Sequence, residues 1–231
     1  MLGLEAPLVC NSGAIVKDPL DHRTLWRADF DTSLLMAILE IFHERGEPVV
    51  SFTDHTVADP DFLIEQHRTG RGHFDNYLER NHGHEGVFPG WTTEARLGRG
   101  FLDGHFHLCG IGTVAEMLLL EQVLLDRLDG RIRTFVQKSP KYTGTMCEVL
   151  HRDANKWTAI RRIADLWGIE QSEVVAVGDD MNDLPMIEGA GFGVAMGHAP
   201  EVVRLAADHI TGDHDHDGVG MIVRELLNSN A

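Results

Sequence analysis

Residues 174–186 read VVAVGDDMNDLPM: an apolar, β-branched run stops at Gly178 and opens into Asp179, Asp180, Asn182 and Asp183. A short Val-rich run bounded by glycine has the character of a strand buried on both faces. In open α/β sheets, ligands bind outside the carboxyl ends of the strands, which is where these four polar residues fall. Three carboxylates within positions 179–183 repel one another unless a cation or basic group stands among them. Their hard oxygens suit Mg²⁺, a cation that keeps several waters and takes few carboxylates. Aspartate is also a good helix N-cap, so spacing alone leaves two readings open: a metal turn, or a solvated turn that starts the next helix.

Working outward, DANKWTAIRRIADLWGI (153–169) predicts a helix with Lys156 in its first turn. An ammonium there adds to the positive end of the helix dipole and to free backbone N–H groups, a place suited to an anion. Taken alone, Lys156 reads as an exposed surface lysine, which is what most lysines are. Downstream come the strand GFGVAM (191–196), a helix from Pro200 to Ala207 and a final helix from Val219 to Leu227.

At the other end, PLVCNSGAIV (7–16) predicts two short strands around a turn at Asn11, Ser12 and Gly13. Helices are expected over Thr32–Arg45 and Val114–Leu128, from apolar residues at three- and four-residue spacing. The 114–128 stripe fits a core helix or an interface face. Strands are expected at 48–52, 105–112, 131–138 and 145–150. The segment 59–91 is polar and rich in Gly, Arg and His. Short strands alternating with helices imply an α/β architecture with a largely parallel sheet. The expected division is a core formed by 1–21 and 145–231, with an inserted α+β domain over 22–144.

Composition narrows the function classes. A net charge of −16 opposes nonspecific binding to nucleic acid or acidic membranes, both of which are anionic. No apolar run approaches the roughly 20 residues of a membrane helix. Met1 to Pro7 lack a basic stretch and a long apolar segment, so no signal peptide is expected. Cys10, Cys109 and Cys147 are odd in number and far apart, as expected of free thiols in a reducing cytoplasm. The histidine-rich strings His82/His84, His105/His107 and Asp213–Asp217 offer two ligands at most each, without a zinc quartet.

Several ordered motifs together resemble the Cof-type phosphatases of the haloacid dehalogenase-like superfamily. GDDMND (178–183), GFGVAMGHA (191–199) and ADHITGDHDHDGV (207–219) are similar to that family's fourth motif and tail. Lys156 at its helix start is similar to the third motif, and PLVCNSGAIVKD to the turn preceding the family's cap domain. Ser12 stands where the family usually has Gly, and His198 where it usually has Asn. The resemblance implies a Rossmann-type core with an inserted cap over 22–144, and Mg²⁺-dependent hydrolysis of a small phosphorylated metabolite. Asp179 and Asp183 would serve the metal, Lys156 would offset phosphate charge, and Asn182, Asn11, Ser12 and Gly13 would line the substrate site. Asp183 could act by holding Lys156 or a metal-bound water.

The family's nucleophile is the first Asp of Asp-x-Asp-Gly-Thr, and no such string occurs here. Leu102-Asp103-Gly104 and Leu128-Asp129-Gly130 carry neither the paired Asp nor the Thr. The expectation is that the nucleophile and two strands of the sheet belong before position 1. The chain alone would then lack turnover and its core would be frayed. A non-catalytic scaffold that kept the metal turn, or a phosphomutase of the same superfamily, would show the same motifs.

Overall fold

The computed structural model describes residues 6–54, 62–65, 72–81, 85–88, 104–128, 130–138 and 141–229. His82, His84, Asp103 and Asp129 lie outside the described residues. The chain divides into two compact units, Met1–Ala154 and Asn155–Ala231.

The first unit opens with an antiparallel sheet of β1 (Leu8–Cys10), β2 (Ile15–Lys17) and β3 (Thr24–Arg27). Helix α1 (Thr32–Glu44) starts at Asp31, whose carboxylate accepts from the Leu34 N–H, an N-cap that satisfies one orphan donor. A six-stranded sheet follows, built from β4 (Val49–Thr53), β5 (Phe62–Glu65), β6 (Glu85–Phe88), β7 (His105–Gly112), β8 (Ile132–Lys138) and β9 (Thr145–His151). Its order is β6-β5-β4-β7-β9-β8, antiparallel throughout except for the β5–β6 pair.

Helices α2 (Gly72–Arg80) and α3 (Val114–Leu128) complete the unit. All eight residues of central strand β7 are buried. Met117, Leu120, Leu124 and Leu128 of α3 join Leu34, Leu35, Ile38 and Phe42 of α1 in one apolar cluster with Leu108 and Val149. The core reading of α3 therefore holds, although Val114, Leu118 and Leu119 on its other face are exposed.

One buried charge fixes the small sheet to the end of β4. Asp54, 1% exposed, accepts from Lys17 Nζ at 2.6 Å, from Arg27 Nη1 at 2.8 Å and from the Thr24 hydroxyl. A buried carboxylate is tolerable only with this kind of compensation.

The second unit contains α4 (Lys156–Trp167), β10 (Val175–Gly178), a 3-10 turn at Met181–Asp183, α5 (Leu184–Gly189), β11 (Phe192–Ala195), α6 (Glu201–Ala206), β12 (His209–Ile210) and α7 (Gly218–Ser229). Strands β10, β11 and β12 form a parallel sheet in that order.

The architecture is α/β, as the sequence predicts, but the internal boundaries differ. Strand β9, expected in the core segment 145–231, lies between β7 and β8 in the six-stranded sheet. Residues 6–21, expected with the core, belong to the first unit. The loop with Pro140 and Gly144 reads as a boundary, yet it joins an antiparallel pair in which Lys138 faces Thr145. Proline and glycine mark any tight connection, including one inside a sheet. The largely parallel sheet expected for the whole core is realised only in β10–β12, among the described residues.

Candidate functional site

The site is built around the carboxyl end of β10. Strand β10 ends at Gly178, a position that requires glycine because a Cβ there would collide with the Asp183 side chain. Asp183 is 3% exposed. Its Oδ2 accepts from the backbone N–H groups of Asp179 at 2.9 Å and Asp180 at 3.1 Å, while Oδ1 pairs with Lys156 Nζ. Asp180 Oδ1 also accepts from the Met181 N–H at 2.7 Å, and Asp180 and Asp183 form a reciprocal capping box in which each side chain accepts from the other's backbone N–H.

Lys156 is the first residue of α4. Asn155 caps that helix, its Oδ1 accepting from the Thr158 N–H at 2.8 Å. The ammonium of Lys156 also donates to Asn182 Oδ1 at 3.1 Å. Lys156, Asn182 and Asp183, chosen from sequence as site residues, are thus in direct contact. The ammonium is held rather than swinging in solvent as most lysines do.

Asp179 and Asp180 are both exposed, and 55% of the Asp179 side chain is accessible. His198 Nε2 lies 3.1 Å from its Oδ2, and His214 Nδ1 lies 3.3 Å from both ring nitrogens of His198. Three carboxylates and one ammonium leave a local excess of negative charge, which a divalent cation would neutralise. A carboxylate-oxygen donor with open access fits Mg²⁺ better than a softer metal. Among the described residues, no group of three or more His, Cys, Asp or Glu side chains is arranged to hold a metal. Asp183 has both oxygens engaged, Oδ1 by Lys156 and Oδ2 by the backbone.

Asn11, Ser12 and Gly13 lie in the first unit, in a 3-10 turn with φ of 48°, 52° and 93°. The left-handed region is costly for Asn and Ser. Both side chains are anchored: Asn11 Nδ2 lies 3.0 Å from His107 Nδ1, and the Ser12 hydroxyl donates to Glu148 Oε2 at 3.0 Å. His107 is buried and stacks on Phe52 with centroids 4.7 Å apart, and burial pushes its pKa below the ordinary value. His105 bonds Ser51 instead, so the two strand histidines have separate partners and do not act as a ligand pair. Cys109 and Cys147 are free and buried, and burial raises both thiol pKa values.

Among the described residues, two paired-aspartate strings are followed by a Thr or a Gly alone. Asp29-Phe30-Asp31 supplies the Arg27 ion pair and the α1 cap. Asp215-His216-Asp217-Gly218 lies in a surface turn, where Asp217 pairs with Arg224 at 2.9 Å. Neither follows a buried strand end, the setting of Asp179. The row of Asp179, His198 and His214 has no short-range signal, since its neighbours lie 19 and 16 positions apart.

Comparison with known proteins places this site in context. A family model described as haloacid dehalogenase-like hydrolase matches residues 111–223. The chain is 40% identical over 83 residues to the Bacillus subtilis 5-amino-6-(5-phospho-D-ribitylamino)uracil phosphatase YcsE, covering 36% of this chain and 33% of that protein. It is 32% identical over 114 residues to phosphoglycolate phosphatase of Methanothermobacter thermautotrophicus, covering 49% and 51%. The chain thus spans about half or less of the length of these curated relatives. Among solved structures it resembles a haloacid dehalogenase-like hydrolase from Bacteroides thetaiotaomicron, with TM-score 0.71, 22% identity and coverage of 96% and 77%. A second, from B. subtilis, gives TM-score 0.72 at 21% identity with coverage of 97% and 81%. The chain carries a haloacid dehalogenase-like hydrolase domain, matched over residues 111–223, and shares that family's fold over most of its length.

Proposed function

We propose that the protein is a Mg²⁺-dependent phosphatase of a small phosphorylated metabolite, working through an aspartyl-phosphate. The observation that carries this reading is the contact of Lys156 with Asn182 and Asp183 beside the half-exposed carboxylate of Asp179. Phosphoryl transfer asks little covalent chemistry of a protein and depends on positioning and charge. Lys156, anchored by Asp183, presents a fixed positive charge at the start of α4 to a phosphoryl oxygen. Asn182 orients the lysine. Asp179 would hold Mg²⁺, which supplies further charge neutralisation, with Asp183 shaping the turn from behind. Asn11, Ser12 and Gly13 are proposed to bind substrate, as the family resemblance implies.

The curated relatives named above are phosphatases of phosphorylated metabolites by their names, which supports the substrate class. The 231 residues contain no Asp-x-Asp-Gly-Thr string, so the chain by itself is proposed to lack turnover. Three free thiols and the charge of −16 favour a reducing cytoplasm and argue against nucleic-acid or membrane partners. No helix among the described residues is long and apolar enough to cross a membrane.

Isothermal titration with Mg²⁺ tests the site: Asp179→Ala should weaken binding more than Asp180→Ala. Equal effects would remove Asp179 from its role. Turnover of phosphate esters by the chain, abolished in Asp179→Ala, would place the nucleophile among these residues. Mg²⁺ binding with no turnover from any longer form that carries Asp-x-Asp-Gly-Thr would favour the non-catalytic scaffold.

A further inference from the structure

We infer that His198 is a positioning residue that fixes the Asp179 carboxylate for its cation, and that His214 braces His198 across its ring face. The inference rests on the reading of Asp179 as the metal-binding carboxylate.

The sheet itself brings the three residues together. Strands β10, β11 and β12 are parallel neighbours, with Gly178 beside Ala195 and Ala195 beside Ile210. Their carboxyl-end loops therefore leave the sheet side by side, and each contributes one residue in strand order: Asp179, His198, His214. Backbone bonds hold the loops in step, Met196 N–H to the Gly178 carbonyl at 2.9 Å and Gly197 N–H to the Gly212 carbonyl at 3.2 Å.

The hydrogen-bond direction follows from the chemistry of the partner. A carboxylate only accepts, so the Nε2 of His198 at 3.1 Å carries the proton and donates to Asp179 Oδ2. That leaves Oδ1 to face a cation. The rings of His214 and His198 cross at 85° with centroids 4.4 Å apart. With Nδ1 of His214 at 3.3 Å from both nitrogens of His198, one ring edge stands over the other ring's face. The imidazole of His198 is thus restrained across its ring face. The loop carrying His214 is itself tied by His216 Nδ1 to Asp213 Oδ1 at 2.5 Å. A half-exposed aspartate has no packing to select its rotamer, and a donor on one oxygen does so. Outer partners of metal ligands commonly govern affinity in this way.

Mg²⁺ titration of the full chain is the test, with far-UV circular dichroism confirming that each variant is folded. His198→Ala should weaken Mg²⁺ binding about tenfold or more. His198→Gln places an amide N–H near the imidazole Nε2 and should stay within about threefold of the wild type. His214→Ala should show a smaller loss than His198→Ala. If His198→Ala binds Mg²⁺ as the wild type does, or more tightly, while Asp179→Ala does not bind, the positioning role is overturned and Asp179 keeps its own. If His198→Gln is as weak as His198→Ala, the donor assignment is overturned. If Asp179→Ala binds like the wild type, or the wild type does not bind, the metal reading fails and this inference with it.

Discussion

Lys156 and Asp183 form an ion pair across 27 positions of sequence, and the same carboxylate accepts two backbone N–H groups from the turn after β10. One side chain therefore serves as counter-ion, capping residue and wedge beneath a strand end that only glycine can provide. The two partners are not equally replaceable.

Asp183→Ala leaves the ammonium with Asn182 alone and two backbone N–H donors without their acceptor, whereas Lys156→Ala leaves the carboxylate with its backbone donors. Asp183→Ala should cost about 2–3 kcal/mol and Lys156→Ala about 1 kcal/mol less. Urea unfolding midpoints compare them, and equal losses would show that the backbone bonds contribute nothing.

Asp54 should be the most sensitive charge of the first unit. Its side chain is fully buried between Lys17 and Arg27, whose side chains are 14% and 12% exposed. Asp54→Ala should destabilise by about 3 kcal/mol, because it leaves buried cations short of a counter-ion. Arg27 keeps Asp29, which holds the loss below that of an isolated pair. Chemical denaturation that leaves Asp54→Ala within error of the wild type would show that water replaces the carboxylate.

Ser12 separates backbone strain from side-chain bonding. At φ 52°, Ser12→Ala keeps the strain and loses the bond to Glu148, while Ser12→Gly loses the bond and relieves the strain. The glycine variant should be more stable than the alanine variant by about 1 kcal/mol. The reverse order in a thermal melt would mean that the turn relaxes when its anchor is cut.

His107 sets a direction of pH dependence. Burial lowers its folded pKa below the ordinary 6.5, so the unfolded chain takes up the proton first as pH falls. Its effect is absent well above pH 6.5, and stability is lost as pH drops below 6.5 toward the folded value. His107→Gln should flatten the stability-against-pH curve over that interval. An unchanged slope would assign the acid sensitivity to other groups.

Hydrogen exchange should follow strand position. Strand β7, buried along its length and paired on both sides, should exchange at the slowest rate of the chain. Strand β10 pairs only with β11 among the described residues, and Val175 is 38% exposed. Its amides should exchange faster, and uniform protection of both strands would show that β10 has a second neighbour.

The sequence by itself determined the local elements and the chemistry of one turn. Apolar periodicity marked α1 and α3, the Val-rich run marked β10, and the crowding of Asp179, Asp180 and Asp183 marked a place that calls for positive charge. These are legible because spacing along one strand or helix fixes which side chains share a face. The tertiary structure alone decided that 145–151 joins the antiparallel sheet, since a hairpin loop and a domain boundary share the same Pro and Gly signals. It also decided that Asp183 faces Lys156 rather than solvent, and that Asp179, His198 and His214 stand in a row. Those relations depend on which strands become neighbours, and strand order is set by packing between segments far apart in the chain.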